Sequence, residues 1–118
     1  MIEPQMIRDT DELLVFSFDG KQQHKMIEKF GVDRQSLIAM EECAELQQAI
    51  SKMARFGDTD GVESTHLEYI RRKANLIEEI GDVLICLYQL MHHYKIHCRD
   101  VQESINRKEK RDSERYEL

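Results

Sequence analysis

The stretch Leu76-Ile77-Glu78-Glu79-Ile80-Gly81-Asp82-Val83-Leu84-Ile85-Cys86-Leu87-Tyr88-Gln89-Leu90-Met91 decides the fold. Wound as a helix it is apolar almost all round, which demands cover on most of its sides. The helix that contains it is expected to start from a cap at Ser64 or Thr65 and to reach about Tyr94. Before it, a short helix is expected from Lys21 to Phe30, stopped by Gly31. A second starts with Asp33 as its cap and runs to about Phe56, where Gly57 ends it. Asp58 to Ser64 read as a polar loop, and a last helix runs from about Arg99 to Tyr116. Four helices with short connections predict an all-α bundle.

One short chain cannot easily cover the third helix, so partner helices are expected, in a homodimer or a dimer of dimers. The chain has 118 residues, the size of one compact domain, and small domains commonly gain stability by oligomerising. Residues 20–118 are read as that domain, with residues 1–19 as an N-terminal arm. Within the arm, Leu13 to Phe18 form either a short strand or a segment packing on a partner. Asp19-Gly20 reads as a turn.

Hydrophobic residues make up 41% and charged residues 34%, with one proline and five glycines. That is too apolar for disorder and too poor in turn residues for a β-sandwich. A net charge of −6 argues against general binding to nucleic acid or to anionic membranes, both of which need a basic face. Cys43, Cys86 and Cys98 give an odd count without a C-x-x-C pair. Cys43 and Cys86 lie within apolar helical patterns, so buried free thiols in a reducing compartment are expected. Met1 to Ser17 lacks a basic start, and the apolar run Leu13-Leu14-Val15-Phe16 is too short for a signal peptide. Nothing approaches a membrane span. The expected location is the cytoplasm.

Two segments carry the chemistry, Glu41-Glu42-Cys43-Ala44-Glu45-Leu46 and Glu78-Glu79-Ile80-Gly81-Asp82-Val83. Spacing of i, i+3 puts Glu42 with Glu45, and Glu79 with Asp82, on one face of each helix. A solvated acidic stripe is the ordinary meaning of such spacing. The helical wheel opposes it here, because Glu42 falls inside the apolar stripe of Ile38, Ala39, Leu46, Ala49, Ile50 and Met53. Glu45 lies at the edge of that stripe, beside Lys52. Glu79 projects between Cys86 and Leu90, and Asp82 sits at the polar edge of its helix.

An unpaired buried carboxylate costs several kcal/mol or shifts its pKa until it is neutral. A divalent cation compensates both helices at once. Oxygen-only ligands favour Mg²⁺, or Mn²⁺, over zinc, and Mg²⁺ commonly bridges carboxylates to substrate phosphates. Lys52 follows Glu45 by two turns on the same face. Lys108, Arg111 and Arg115 recur at i, i+3, i+7 as a cationic stripe. Alone, such residues are a solvated face; beside a phosphate-binding metal they read as oxyanion contacts.

With these motifs in place, the sequence resembles the MazG-like nucleotide pyrophosphohydrolases of the all-α NTP pyrophosphatase superfamily. The match is EECAEL … EEIGDV against an E-E-x-x-E … E-E-x-x-D pattern, extending through Ala49-Ile50-Ser51-Lys52 and on to Lys108, Arg111 and Arg115. It covers roughly Lys25 to Arg115. The resemblance implies water attack at the α-phosphate of a nucleoside triphosphate, releasing the monophosphate and pyrophosphate. By motif position it implies Glu42, Glu45, Glu79 and Asp82 as Mg²⁺ ligands. Either Glu41 or Glu78 would orient or deprotonate the water. Lys52, Lys108, Arg111 and Arg115 would contact phosphates, and Asn75 would touch the base or brace a ligand. Such a site asks little covalent chemistry of the protein, because the metal neutralises the phosphates and stabilises the leaving pyrophosphate. Homo-oligomers are implied as well. One departure stands out: thirty-three residues lie between Glu45 and Glu79, on the long side for the family. The extra length falls at Gly57 to Ala74 and bears on substrate identity rather than on the chemistry.

Other classes fit less well. A di-iron bundle needs E-x-x-H on two core helices, and the one match, Glu63-x-x-His66, sits at a loop boundary. His93 and His97 at i, i+4, with Cys98 beside them, read as helix-end residues rather than a zinc pair. A non-catalytic helical nucleotide-binding or protein-interaction module leaves Glu42 and Glu79 on apolar faces unexplained. Gly57-Asp58-Thr59-Asp60-Gly61 lacks the downstream glutamate of a calcium loop. There is no G-x-S-x-G, no P-loop and no H-E-x-x-H.

Overall fold

A computed structural model describes residues 8–56 and 66–118. The described residues hold four helices and no strand: α1 (Gly20–Phe30), α2 (Val32–Ala54), α3 (His66–His93) and α4 (Cys98–Tyr116). They fall into two compact units, Phe18–His93 and Tyr94–Leu118 together with the stretch ending at Ser17. The expected cap at Ser64 or Thr65 and the polar loop before it lie outside the described residues.

The first unit is three helices. Asp19 caps α1 rather than making a turn, its Oδ1 accepting from the Gln22 amide at 3.0 Å. Phe18 stacks on Tyr88 with ring centroids 4.6 Å apart, which fixes the start of α1 on α3. A Cβ at Gly20 would stand 3.0 Å from the Tyr88 hydroxyl, so a larger residue there would push that ring back by a few tenths of an ångström. Gly31 ends α1 at φ 82°, ψ 155°, a conformation side-chain-bearing residues avoid. Its N–H donates to Ile27 O, and its own carbonyl accepts from the Gln35 amide. One glycine therefore closes α1 and opens α2. Asp33, expected as the cap, instead sits inside the first turn of α2, where its charge suits the helix N-terminus.

Two hydrogen bonds fix how α2 lies on α3. Gln35 Nε2 donates to Gln89 Oε1 at 3.0 Å, and Arg72 Nη1 donates to the Lys52 carbonyl at 2.6 Å. Seventeen residues separate the two partners on each helix, running in opposite directions, so the helices are antiparallel in constant register. That register sets Glu45 level with Glu79 and Glu42 level with Asp82. The apolar centre of the interface is small: among the described residues Ala39, Ala49, Val83 and Cys86 are the buried hydrophobics. Gln23, Gln35 and Gln89 are buried with them. Gln89 Nε2 donates to Gln23 Oε1 at 2.7 Å, so one amide chain links α1, α3 and α2.

Much of the expected core is open in the single chain. On α3, Ile70, Ile77, Ile80 and Leu87 are exposed; on α2, so are Leu37, Met40 and Ile50. Ile50 thus lies off the buried side of the stripe assigned to it. Cys43 is exposed too, contrary to expectation, while Cys86 is buried. Cys43 follows Leu37 and Met40 at three-residue steps and shares their outward apolar face; apolar neighbours along a helix do not by themselves bury a residue. A soluble thiol reagent is expected to modify Cys43 and Cys98 in the native protein and to reach Cys86 only on unfolding. Burial, with Glu42, Asp82 and Cys43 nearby, also pushes the Cys86 thiol up. Rapid reaction of all three thiols would contradict this packing.

In the second unit, α4 begins after His97 and ends at Glu117 in the left-handed region. Residues 8–17 form no strand, and they are tied to α4 by Arg8, whose Nη2 lies 3.0 Å from Glu109 Oε1. Leu13, Leu14, Val15 and Phe16 are exposed. His93 ends α3 whereas His97 caps α4, so the two do not share a helix. No described helix is long and apolar enough to cross a membrane.

Candidate metal centre

The antiparallel register brings the two acidic motifs face to face. One carboxylate oxygen from each of Glu42, Glu45 and Glu79 lies within 4.8 Å of the other two. The i, i+3 step puts Glu42 and Glu45 on one wall, and the level pairing brings Glu79 across from Glu45. Asp82 is exposed and stands outside this close trio. Its charge nonetheless acts on both Glu42 and Glu79. Glu41 and Glu78 occupy the exposed shoulders of the motifs.

Burial and like charge work in one direction here. Glu42 is pushed up to about 6, first by burial and then by Glu45, Asp82 and Glu79. The Glu79 carboxyl is also raised, with burial first and then Glu45, Asp82 and Glu78 as causes. Glu42 Oε2 and Glu79 Oε2 are buried and have no hydrogen-bond partner among the described residues. Buried carboxylate oxygens without donors are costly. A hard cation satisfies both and cancels the repulsion, and an all-oxygen donor set suits Mg²⁺ or Mn²⁺. The residues fit such an ion.

Of the substrate-contact candidates, Lys52 is exposed on α2, two turns beyond Glu45, and Asn75 is half-buried one turn before Glu79. Lys108, Arg111 and Arg115 are exposed on α4, in the other unit; Arg111 pairs with its neighbour Asp112 at 3.1 Å. Two elements of the scaffold went unread in the sequence. The first is the glutamine chain, two turns from the carboxylates on both helices, since seven residues separate Gln35 from Glu42 and Gln89 from Asp82. A polar residue seven positions from a carboxylate of each acidic motif was the available signal. The second is Arg72, aimed by Glu68 at 2.9 Å and closing the end of α2. A cation satisfying the last carbonyls of a helix is a common end device.

A trio of carboxylates between antiparallel helices has the oxygen-only donor set that hard divalent cations take. The sequence profile of the MazG nucleotide pyrophosphohydrolase domain matches residues 32–116, and the chain belongs to that family. No curated protein and no solved structure matches it. The matched span opens with α2 and ends with α4, so it contains both motifs and leaves α1 and the arm outside.

Proposed function

We propose that the protein hydrolyses a nucleoside triphosphate to the monophosphate and pyrophosphate, with Mg²⁺ held by Glu42, Glu45, Glu79 and Asp82. The observation that carries this reading is the pair of partnerless buried oxygens on Glu42 and Glu79, two members of a close carboxylate trio. When bound, the ion supplies charge neutralisation at the phosphate oxygens. Mn²⁺ serves the same donors.

The chain's own groups do the rest. Glu41 or Glu78, on the exposed edge of the cleft, takes the proton as water adds to the α-phosphorus. The bond from that phosphorus to the bridging oxygen breaks, and pyrophosphate leaves. Lys52, Lys108, Arg111 and Arg115 are the residues this reading assigns to phosphate oxygens. Asn75, half-buried on α3 one turn before Glu79, contacts the base or steadies Glu79. The test is a pyrophosphate-release assay across ribo- and deoxynucleoside triphosphates, with and without Mg²⁺. Metal-dependent release of monophosphate and pyrophosphate in equal amounts is expected. Release of orthophosphate instead, or turnover that ignores the metal, would sink the reading.

The active form on this reading is a homodimer or dimer of dimers, acting in the cytoplasm. Ile70, Ile77, Leu84 and Met91 recur every seven residues on α3, with Ile80 and Leu87 three beyond Ile77 and Leu84, a seam suited to another helix. Among the described residues the buried apolar set is four small side chains, little for a domain of this size. Light scattering on the wild type is expected to give a multiple of the 14.0 kDa chain mass. Ile77→Lys with Leu87→Lys should shift it towards 14.0 kDa. A wild-type monomer would refute the assembly and leave the chemistry untouched.

A further inference from the structure

Away from the carboxylates, α1 meets the end of α3 through a pair of imidazoles. His24 Nδ1 and His92 Nε2 are 2.8 Å apart, and the ring planes are nearly perpendicular, at 87°. The opposite nitrogen of His24, Nε2, lies 2.8 Å from Glu28 Oε1, one turn on along α1. Glu28 accepts only from a protonated nitrogen, so the hydrogen of a neutral His24 belongs on Nε2. Nδ1 then presents a bare lone pair to His92. The side chains of His24 and Glu28 are 52% and 65% exposed, leaving room for solvent ligands.

From this geometry we infer that His24 and His92 form a second cation site, selective for a borderline ion such as Zn²⁺ and clamping α1 to α3. Two nitrogens bound to one zinc at about 2.0–2.1 Å lie roughly 3.4 Å apart at the tetrahedral angle. The observed spacing is a few tenths of an ångström short of that, and a small turn of each exposed ring makes up the difference. Without the ion, His92 Nε2–H donates to His24 Nδ1. With it, the His92 proton moves to Nδ1 of the same ring, so no proton is lost and both facing nitrogens carry lone pairs. Glu28 plays the carboxylate of a carboxylate–histidine–metal unit, holding the tautomer and the ring direction. Imidazole donors suit zinc, while the all-oxygen cleft suits magnesium, so the two sites sort their ions. His92 follows Glu79 by thirteen residues, roughly 20 Å along the helix at ~1.5 Å per residue, so one ion cannot serve both.

The experiment is a titration of the full chain with Zn²⁺ in the presence of excess Mg²⁺, read by calorimetry and by thermal midpoint. One zinc per chain and a raised midpoint are expected. His24→Gln and His92→Gln should each remove the zinc-dependent rise, and Glu28→Gln should weaken zinc about 10- to 100-fold. Glu42→Gln and His97→Gln should leave it unchanged. The assignment fails if wild type shows no zinc-dependent rise, if the rise survives both histidine substitutions, or if it disappears with Glu42→Gln or His97→Gln. Each histidine variant is checked for an unchanged zinc-free midpoint; if either is destabilised, the corresponding Ala variant is titrated in its place.

Discussion

Glu42→Gln is expected to abolish the metal-dependent activity while making the metal-free protein more stable. The activity loss should be roughly 10²–10³-fold, the scale of the several kcal/mol a bound metal contributes to a phosphate transition state. Stability moves the other way because the amide removes one charge from a cluster in which Glu45, Asp82 and Glu79 all oppose ionisation of Glu42. The sign with pH follows from the same group. Its folded pKa of about 6 lies above the ordinary 4.5, so between those values the folded protein holds a proton that the unfolded chain has released. Metal-free stability is therefore greatest below about pH 4.5 as far as Glu42 is concerned, and it falls as pH rises through about 6. Urea unfolding in chelator at a series of pH values should show this decline in wild type and a reduced one in Glu42→Gln. Mg²⁺ should reverse it in wild type alone. A variant that loses stability without metal would mean that Glu42 is a structural partner rather than a ligand.

Gln89→Leu should be among the most destabilising single changes in the helical unit. It strands Gln35 Nε2 and Gln23 Oε1 together, each in a residue under 8% exposed. Each orphaned buried group costs about 1–3 kcal/mol, so the expected loss is about 2–6 kcal/mol in denaturant unfolding. Replacing Gln23, Gln35 and Gln89 all by leucine should recover most of it, because no polar group is then left without a partner. If the triple variant is as unstable as the single one, packing and not hydrogen bonding explains the effect. The amide chain buys little stability over an apolar core, and we assign its value to alignment. Only one relative position of α1, α2 and α3 satisfies it, and that position levels Glu45 with Glu79.

The parts of this protein legible in its sequence are those fixed by residues close together in the chain. The helix through Leu76–Met91 was readable because nearly every face is apolar. The trio of Glu42, Glu45 and Glu79 was readable because each glutamate interrupts or edges such a face. What could not be read depends on distant partners or on cover. Gln23 and Gln89 are 66 residues apart, and neither carries any local mark of the other. Cys43 looked like core because its neighbours are apolar, yet that face of α2 has no cover within the chain. Asp33 matched a cap pattern as well as Gly31 does; the choice went to the residue able to adopt positive φ where two helices meet. Asp82 shares its motif's spacing with Glu45, but it is exposed and is not one of the three whose oxygens lie within 4.8 Å, although its charge still acts on Glu42 and Glu79.

The Arg72 clasp on the Lys52 carbonyl has an evolutionary consequence. It joins the two helices at the root of the segment between them, with Phe56 and Tyr69 in edge contact at 5.5 Å beside it. Lengthening a connection whose ends are already tied costs little, about 0.6 kcal/mol for each doubling. Insertions and deletions above the clasp are thus insulated from the carboxylates below it. The carboxylate-bearing part of the bundle can keep its geometry while the connection changes in length and composition.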